Sequence, residues 1–145
     1  MSTPLDELRQ LAVGALPPPP IAALIGFTLS AVSPGEAVVE LAAGREHANP
    51  MGALHGGVLC DIADAAMGIA YASTLAEGET FATIELKINF LKPVWRAKLR
   101  AVGHLVKAGK SLGFLECDII DEQQSLVARA SSTCMTLRGE QAHGR

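Results

Sequence analysis

The sequence predicts an α+β fold: one long buried helix packed on a curved antiparallel sheet of about six strands. Three observations carry this. Between residues 56 and 76, Val58, Ile62, Ala65, Ile69 and Ala72 recur at helical spacing, and Asp61 and Asp64 are the only charges. Residues 81–91 alternate, with Ile84, Leu86, Ile88 and Phe90 on one side and Thr83, Glu85, Lys87 and Asn89 on the other, the pattern of a half-buried strand. The strand segments that follow are joined by short turns, which pairs consecutive strands antiparallel.

Each element has its own signal. Leu5, Leu8, Leu11 and Ala12 make residues 4–14 an amphipathic helix capped near Thr3. Pro17 to Pro20 fix φ and separate it from the rest as an extended segment. Residues 21–25 suit one more helical turn. Strands are expected over 27–32 and 36–42, joined at Ser33-Pro34-Gly35, and residues 43–51 form a loop. Later strands are expected over 99–106, 112–120 and 126–137, with turns at Ala108-Gly109-Lys110 and Asp121-Glu122-Gln123-Gln124. The organisation expected is a peripheral N-terminal helix (1–16), a polyproline linker (17–20), one folded domain (21–138) and a flexible tail (139–145). The helix is apolar on nearly every side, so it should be buried on most of them.

Composition narrows the function. The chain has 145 residues, 49% hydrophobic and 19% charged, with net charge −3. That is enough for a core without metal or disulfide staples. Mild acidity argues against nucleic acid as a partner. No apolar run reaches the length of a membrane span, so no membrane role is expected. Met1 to Glu7 lacks the basic-then-apolar order of an export signal, and Cys60, Cys117 and Cys134 fit neither a disulfide framework nor a zinc site. Reduced thiols in the cytoplasm and no metal are the expectation.

The chemistry is concentrated in Asn49-Pro50-Met51-Gly52-Ala53-Leu54-His55-Gly56-Gly57, which runs into the long helix. The first amides of a helix have no partner within it, and glycine lets a ligand approach them closely. An oxygen bound there meets the positive end of the helix, as an oxyanion hole requires. Gly-Gly by itself more often makes only a tight lead-in turn. Asp64, two turns in, shares a helix line with Gly57, Cys60, Gly68 and Tyr71, mostly small residues above which a groove can open. A carboxylate in so apolar a helix is costly unless solvated, paired or used. Asp61 points about 60° away. His47 and His104 have no visible partner and are expected at the surface. Lys87, Lys92, Arg96, Lys98 and Arg100 cluster around Pro93-Val94-Trp95, and Lys107 and Lys110 flank a turn. They suit a phosphate-bearing ligand or, more simply, guard strand edges. No serine elbow or phosphate-binding glycine fingerprint occurs.

These pieces, with Thr83-Ile84-Glu85-Leu86-Lys87-Ile88-Asn89-Phe90-Leu91-Lys92-Pro93 and Lys107-Ala108-Gly109-Lys110-Ser111, resemble the hotdog-fold acyl-CoA thioesterases of the PaaI-like type from about Pro20 to Leu137. The resemblance implies a sheet wrapped around the helix and a homodimer with active sites shared across its interface, often paired into a homotetramer. It implies that the Gly56 amide polarises the thioester carbonyl and that Asn49 helps hold that carbonyl or the water. It further implies that Asp64 from the other subunit is general base or nucleophile, and that Thr83 helps place the water. His55 and Gly57 support the loop and substrate. Phe90, Leu91, Lys92 and Pro93, with Lys107, Gly109, Lys110 and Ser111, line the route of the CoA arm. Tyr71, Phe81, Phe90 and Leu54 line the acyl pocket. No cofactor is implied, since CoA is part of the substrate. Two other functions fit the same scaffold: a non-catalytic acyl-CoA sensor, and an acyl-thioester hydratase or dehydratase using His55.

Overall fold

The computed structural model describes residues 2–145. Its elements are α1 (Pro4–Ala12), α2 (Pro20–Ile25), β1 (Thr28–Ser33), β2 (Glu36–Ala43), α3 (Gly56–Ala72), β3 (Thr80–Phe90), β4 (Ala97–Ala108), β5 (Leu112–Ile120) and β6 (Leu126–Leu137). All strand pairs are antiparallel, in the order β1-β2-β4-β5-β6-β3. The hotdog arrangement expected from the sequence is therefore present, with α3 lying on one face of the sheet.

α3 forms because its apolar residues repeat at helical spacing on several faces. Val58, Leu59, Ile62, Ala63, Ala66, Met67, Ala70 and Tyr71 are all buried. Gly103 on β4 lets helix and sheet approach closely. A Cβ there would lie 2.7 Å from the backbone carbonyl of Ala66. Tyr71 is a core residue. Its hydroxyl hydrogen-bonds Thr136 at 2.6 Å and its ring meets Phe81 edge-on. That fixes Tyr71 as a structural contact rather than the pocket wall expected from the sequence.

At the N-terminus, Thr3 caps α1 through a capping box with Asp6, as the sequence indicated. Leu8, Leu11 and Ala12 pack on the core. The loop after β2 holds a 3₁₀ turn at Arg45–His47. His47 is not at the surface: it is 8% exposed, its Nε2–H donates to the Ile25 carbonyl at 2.6 Å, and its Nδ1 accepts from the Gly44 amide. One ring thereby satisfies two backbone groups that would otherwise be left unpaired, and this is why an apparently isolated histidine is inside. α3 ends at Ala72, four residues before the expected end, where the Ser73 hydroxyl turns back onto the Ala70 carbonyl. Residues 139–142 form a second 3₁₀ turn.

β3 departs most from the expected pattern. It is an edge strand paired only with β6, and the register slips between Thr83 and Glu85, leaving Ile84 as an extra residue. A one-residue bulge reverses the facing of everything beyond it. Leu86 and Ile88 pack toward the core, and Thr83 now lies on their side, facing α3. Ile84, assigned to the inward row by simple alternation, is 54% exposed.

Candidate active site

The loop before α3 is built from its own sequence. Asn49 Oδ1 accepts from the amides of Met51 (2.9 Å) and Ala53 (3.1 Å), and Gly52 adopts φ +91°, a left-handed value that suits glycine. The Leu54 amide donates to the Val94 carbonyl and the His55 amide to that of His47. The chain therefore reaches α3 tied down on both sides. His55 is the N-cap; its Nδ1 accepts from the Gly57 amide at 2.9 Å, so its proton sits on Nε2. The Val58 amide returns to the His55 carbonyl at 3.0 Å. That leaves the Gly56 N–H without a partner among the described residues, at the positive end of a 17-residue helix. Both glycines have a side chain close by. A Cβ on Gly56 would sit 2.9 Å from the Phe90 ring tip, and one on Gly57 2.8 Å from the His55 imidazole. A cleft opens beside Gly56, lined by Asn49, Leu54, Leu59, Phe90, Lys92 and Val94, with Leu91 and Pro93 also on its wall.

The second part lies further along the same helix. The Thr83 hydroxyl donates to Asp64 Oδ1 at 3.2 Å, a contact the bulge makes possible. Asp64 is exposed to solvent, with protein packed around one side of its carboxyl. Partial burial raises its affinity for a proton, the Thr83 hydrogen bond lowers it, and nearby Asp61 raises it again. Asp61 lines the same cleft, so the 60° offset expected from helical geometry does not remove it from the site. Behind Thr83, the Cys134 sulfur is 3.7 Å from its hydroxyl. Neither Asp61 nor Cys134 was singled out as a site residue from sequence. Asp61 carried a signal in its spacing of one turn from Asp64, whereas Cys134 is brought in only by strand pairing.

Gly56 and Asp64 do not meet within one chain. Eight residues of helix separate them, an axial distance of about 12 Å. Each lines its own cleft, and neither cleft contains the other residue. Both clefts border β3, whose outer edge has no strand partner among the described residues. Lys92 spends its charge elsewhere: its ammonium pairs with the buried Asp121 carboxylate at 2.6 Å, which holds Asp121 below the usual carboxylate range. Lys107 near the end of β4 and Gly109, Lys110 and Ser111 in the turn to β5 are exposed, and none of them lines the Gly56 cleft.

A long helix, α3, cradled by a six-stranded sheet, with a bare amide at its start and a hydrogen-bonded carboxylate two turns in, defines a hotdog protein equipped for acyl chemistry at a sheet edge. The sequence profile of the Thioesterase superfamily matches residues 51–128, and the chain belongs to that superfamily. It is 30% identical over 109 residues to 1,4-dihydroxy-2-naphthoyl-CoA hydrolase of Listeria monocytogenes, covering 75% of this chain and 89% of that one. It is 27% identical over 109 residues to human acyl-coenzyme A thioesterase 13, covering 74% and 77%. Among solved structures, the PaaI protein from the phenylacetic acid degradation operon of E. coli superposes with a TM-score of 0.83 at 25% identity, covering 94% of this chain and 98% of that one. The protein is thus a PaaI-like hotdog thioesterase, a thioester hydrolase.

Proposed function

We propose that the protein hydrolyses acyl-CoA thioesters carrying aryl or short- to medium-chain acyl groups, at sites shared between two copies of the chain. The observation that carries this reading is the separation of the two half-sites on one helix, each opening beside an unpaired strand edge. Pairing β3 with its counterpart across a two-fold axis brings the Gly56 cleft of one protomer to the Asp64 cleft of the other. The Gly56 N–H then donates to the thioester carbonyl oxygen and holds the oxyanion as it forms. Asn49 fixes the loop through its Oδ1, leaving its Nδ2 amide to steady the same oxygen or the water.

Asp64 of the partner subunit takes the proton of the attacking water, and Thr83 beside it steers both. A carboxylate whose proton affinity is raised by burial is better suited to that task than an ordinary one. The thiolate leaves readily, so an amide and a carboxylate suffice, and no cofactor enters this route. The apolar walls around Leu54, Leu59 and Phe90 suit an uncharged acyl group. The exposed cations of the Lys107–Ser111 turn suit the nucleotide end of CoA. Exposed Leu112 and Phe114 on the outer sheet face offer a surface for pairing dimers into a homotetramer. Three free thiols fit a cytoplasmic setting, and nothing in the charge pattern calls for nucleic acid or membrane.

The test is thiol release from an acyl-CoA panel by the parent and by Asp64→Asn. The expected result is turnover by the parent and a loss of about a hundredfold or more in the variant. Undiminished turnover by Asp64→Asn would remove the mechanism. Tight acyl-CoA binding without thiol release would make the protein a sensor, and hydration of an enoyl-CoA would make it a hydratase.

A further inference from the structure

Arg138 directly follows β6, one residue before the tail that the sequence predicts to be flexible. Its guanidinium makes two directed contacts. Nε donates to Glu79 Oε2 at 2.5 Å, and Nη2 donates to the Lys110 carbonyl at 2.7 Å. Glu79 is itself held, its other oxygen accepting from the Ala76 amide at 2.8 Å. The amide and the guanidinium together keep that carboxyl below the usual range, so it stays ionised. Three segments therefore meet at one side chain: the loop after α3, the end of β6 and the β4–β5 turn. Two backbone bonds complete the turn, from Gly109 N to the Leu112 carbonyl and from Thr136 N to the Ser111 carbonyl.

The charges divide into two roles. Arg138 is neutralised by Glu79, whereas Lys107 and Lys110 make no ion pair among the described residues. Thus Arg138 is not the group free to meet an anion; the lysines on the turn it grips are. The turn also lies at a useful distance from the carboxylate cleft. Thr83 and Gly113 both pair with Cys134, so the three stand in one row across β3, β6 and β5. From Thr83 the Lys110 backbone is two strands over, about 10 Å, and three residues along, about 10 Å. An extended pantetheine arm spans such a separation.

We infer that Arg138, anchored by Glu79, is a positioning residue that holds the Lys107–Ser111 turn in the shape that receives the nucleotide end of an acyl-CoA. The inference rests on the acyl-CoA reading above. An isolated surface ion pair contributes little to stability. A two-pronged guanidinium that fixes a turn carbonyl acts instead through preorganisation of the residues on that turn.

The test compares the parent, Arg138→Ala, Arg138→Lys and Lys110→Ala on one acyl group carried by CoA and by pantetheine, which lacks the nucleotide. For Arg138→Ala, KM for the acyl-CoA is expected to rise roughly three- to tenfold with kcat within about twofold, while kcat/KM for the acyl-pantetheine stays at the parent value. Arg138→Lys keeps the charge but loses the fork, and should shift KM in the same direction by less. If Lys110→Ala raises KM for the acyl-CoA and Arg138→Ala does not, the strut is refuted while the turn keeps its role. If neither raises it, the nucleotide does not bind at the turn and the inference falls with that reading. Equal losses on both substrates in Arg138→Ala would mark a general structural role and refute it too.

Discussion

Mixing two inactive variants should restore activity, because the half-sites lie on different ends of one helix. The first variant is Gly56→Pro. Gly56 is the first residue of α3, where proline is tolerated, and the preceding His55 already has φ −66° and ψ 133°, values a residue before proline adopts. The substitution removes the N–H without unwinding the helix; its Cβ would meet the tip of the Phe90 ring at 2.9 Å, the far end of a side chain that is 56% exposed. Losing one oxyanion donor costs about 10²- to 10³-fold in turnover. The second variant is Asp64→Asn, which removes the base. In a dimer containing one chain of each kind, one site carries both lesions and the other carries neither. Random assortment makes half the dimers mixed, so the population should recover roughly a quarter of parental activity. Thiol release from the co-expressed pair, against each variant alone, measures this. If the mixture is no more active than the average of its components, Gly56 and Asp64 act within one chain or not at all, and the 12 Å argument fails.

Other expectations follow from single contacts. Thr83→Val removes the hydrogen bond that lowers the proton affinity of Asp64, leaving burial and Asp61 to raise it, so the acid limb of kcat/KM should move to higher pH; an unmoved limb would separate Thr83 from the base. Asp64 binds its proton more tightly folded than unfolded, so its contribution to stability is full below the unfolded value and lost as pH rises through the folded one. Asp64→Asn should therefore melt higher than the parent at neutral pH, with the gap closing in acid, and equal melting curves at both would contradict this. Gly103→Ala forces a Cβ to 2.7 Å from the Ala66 backbone and should cost about 1–3 kcal/mol in denaturant unfolding without changing the chemistry of any bound thioester.

Much of the fold was written in local patterns. The helical repeat from Val58 to Ala72, the alternation in the strands and the polar turns specify elements through short-range geometry, and a chain this apolar has few other ways to bury them. The Thr3 cap was legible for the same reason, since a capping box closes within four residues. The Asn49–Gly57 run was legible as chemistry because its constraints are also local: an asparagine bonding its own loop, a left-handed Gly52, and two bare glycines at a helix start.

What the sequence could not disclose depends on which segments become neighbours. Simple alternation put Thr83 on the wrong face of β3, because the Ile84 bulge exists only relative to the pairing with β6. His47 looked solitary because its partner, the Ile25 carbonyl, is 22 residues away. Arg138 carried no signal because Glu79 and Lys110 reach it only once the sheet has formed. Composition and periodicity therefore determined the elements and the helix that bears the chemistry. Tertiary structure decided which side chains face one another, since hydrogen bonds and steric contacts between distant segments are set by register and approach, which no window of sequence encodes.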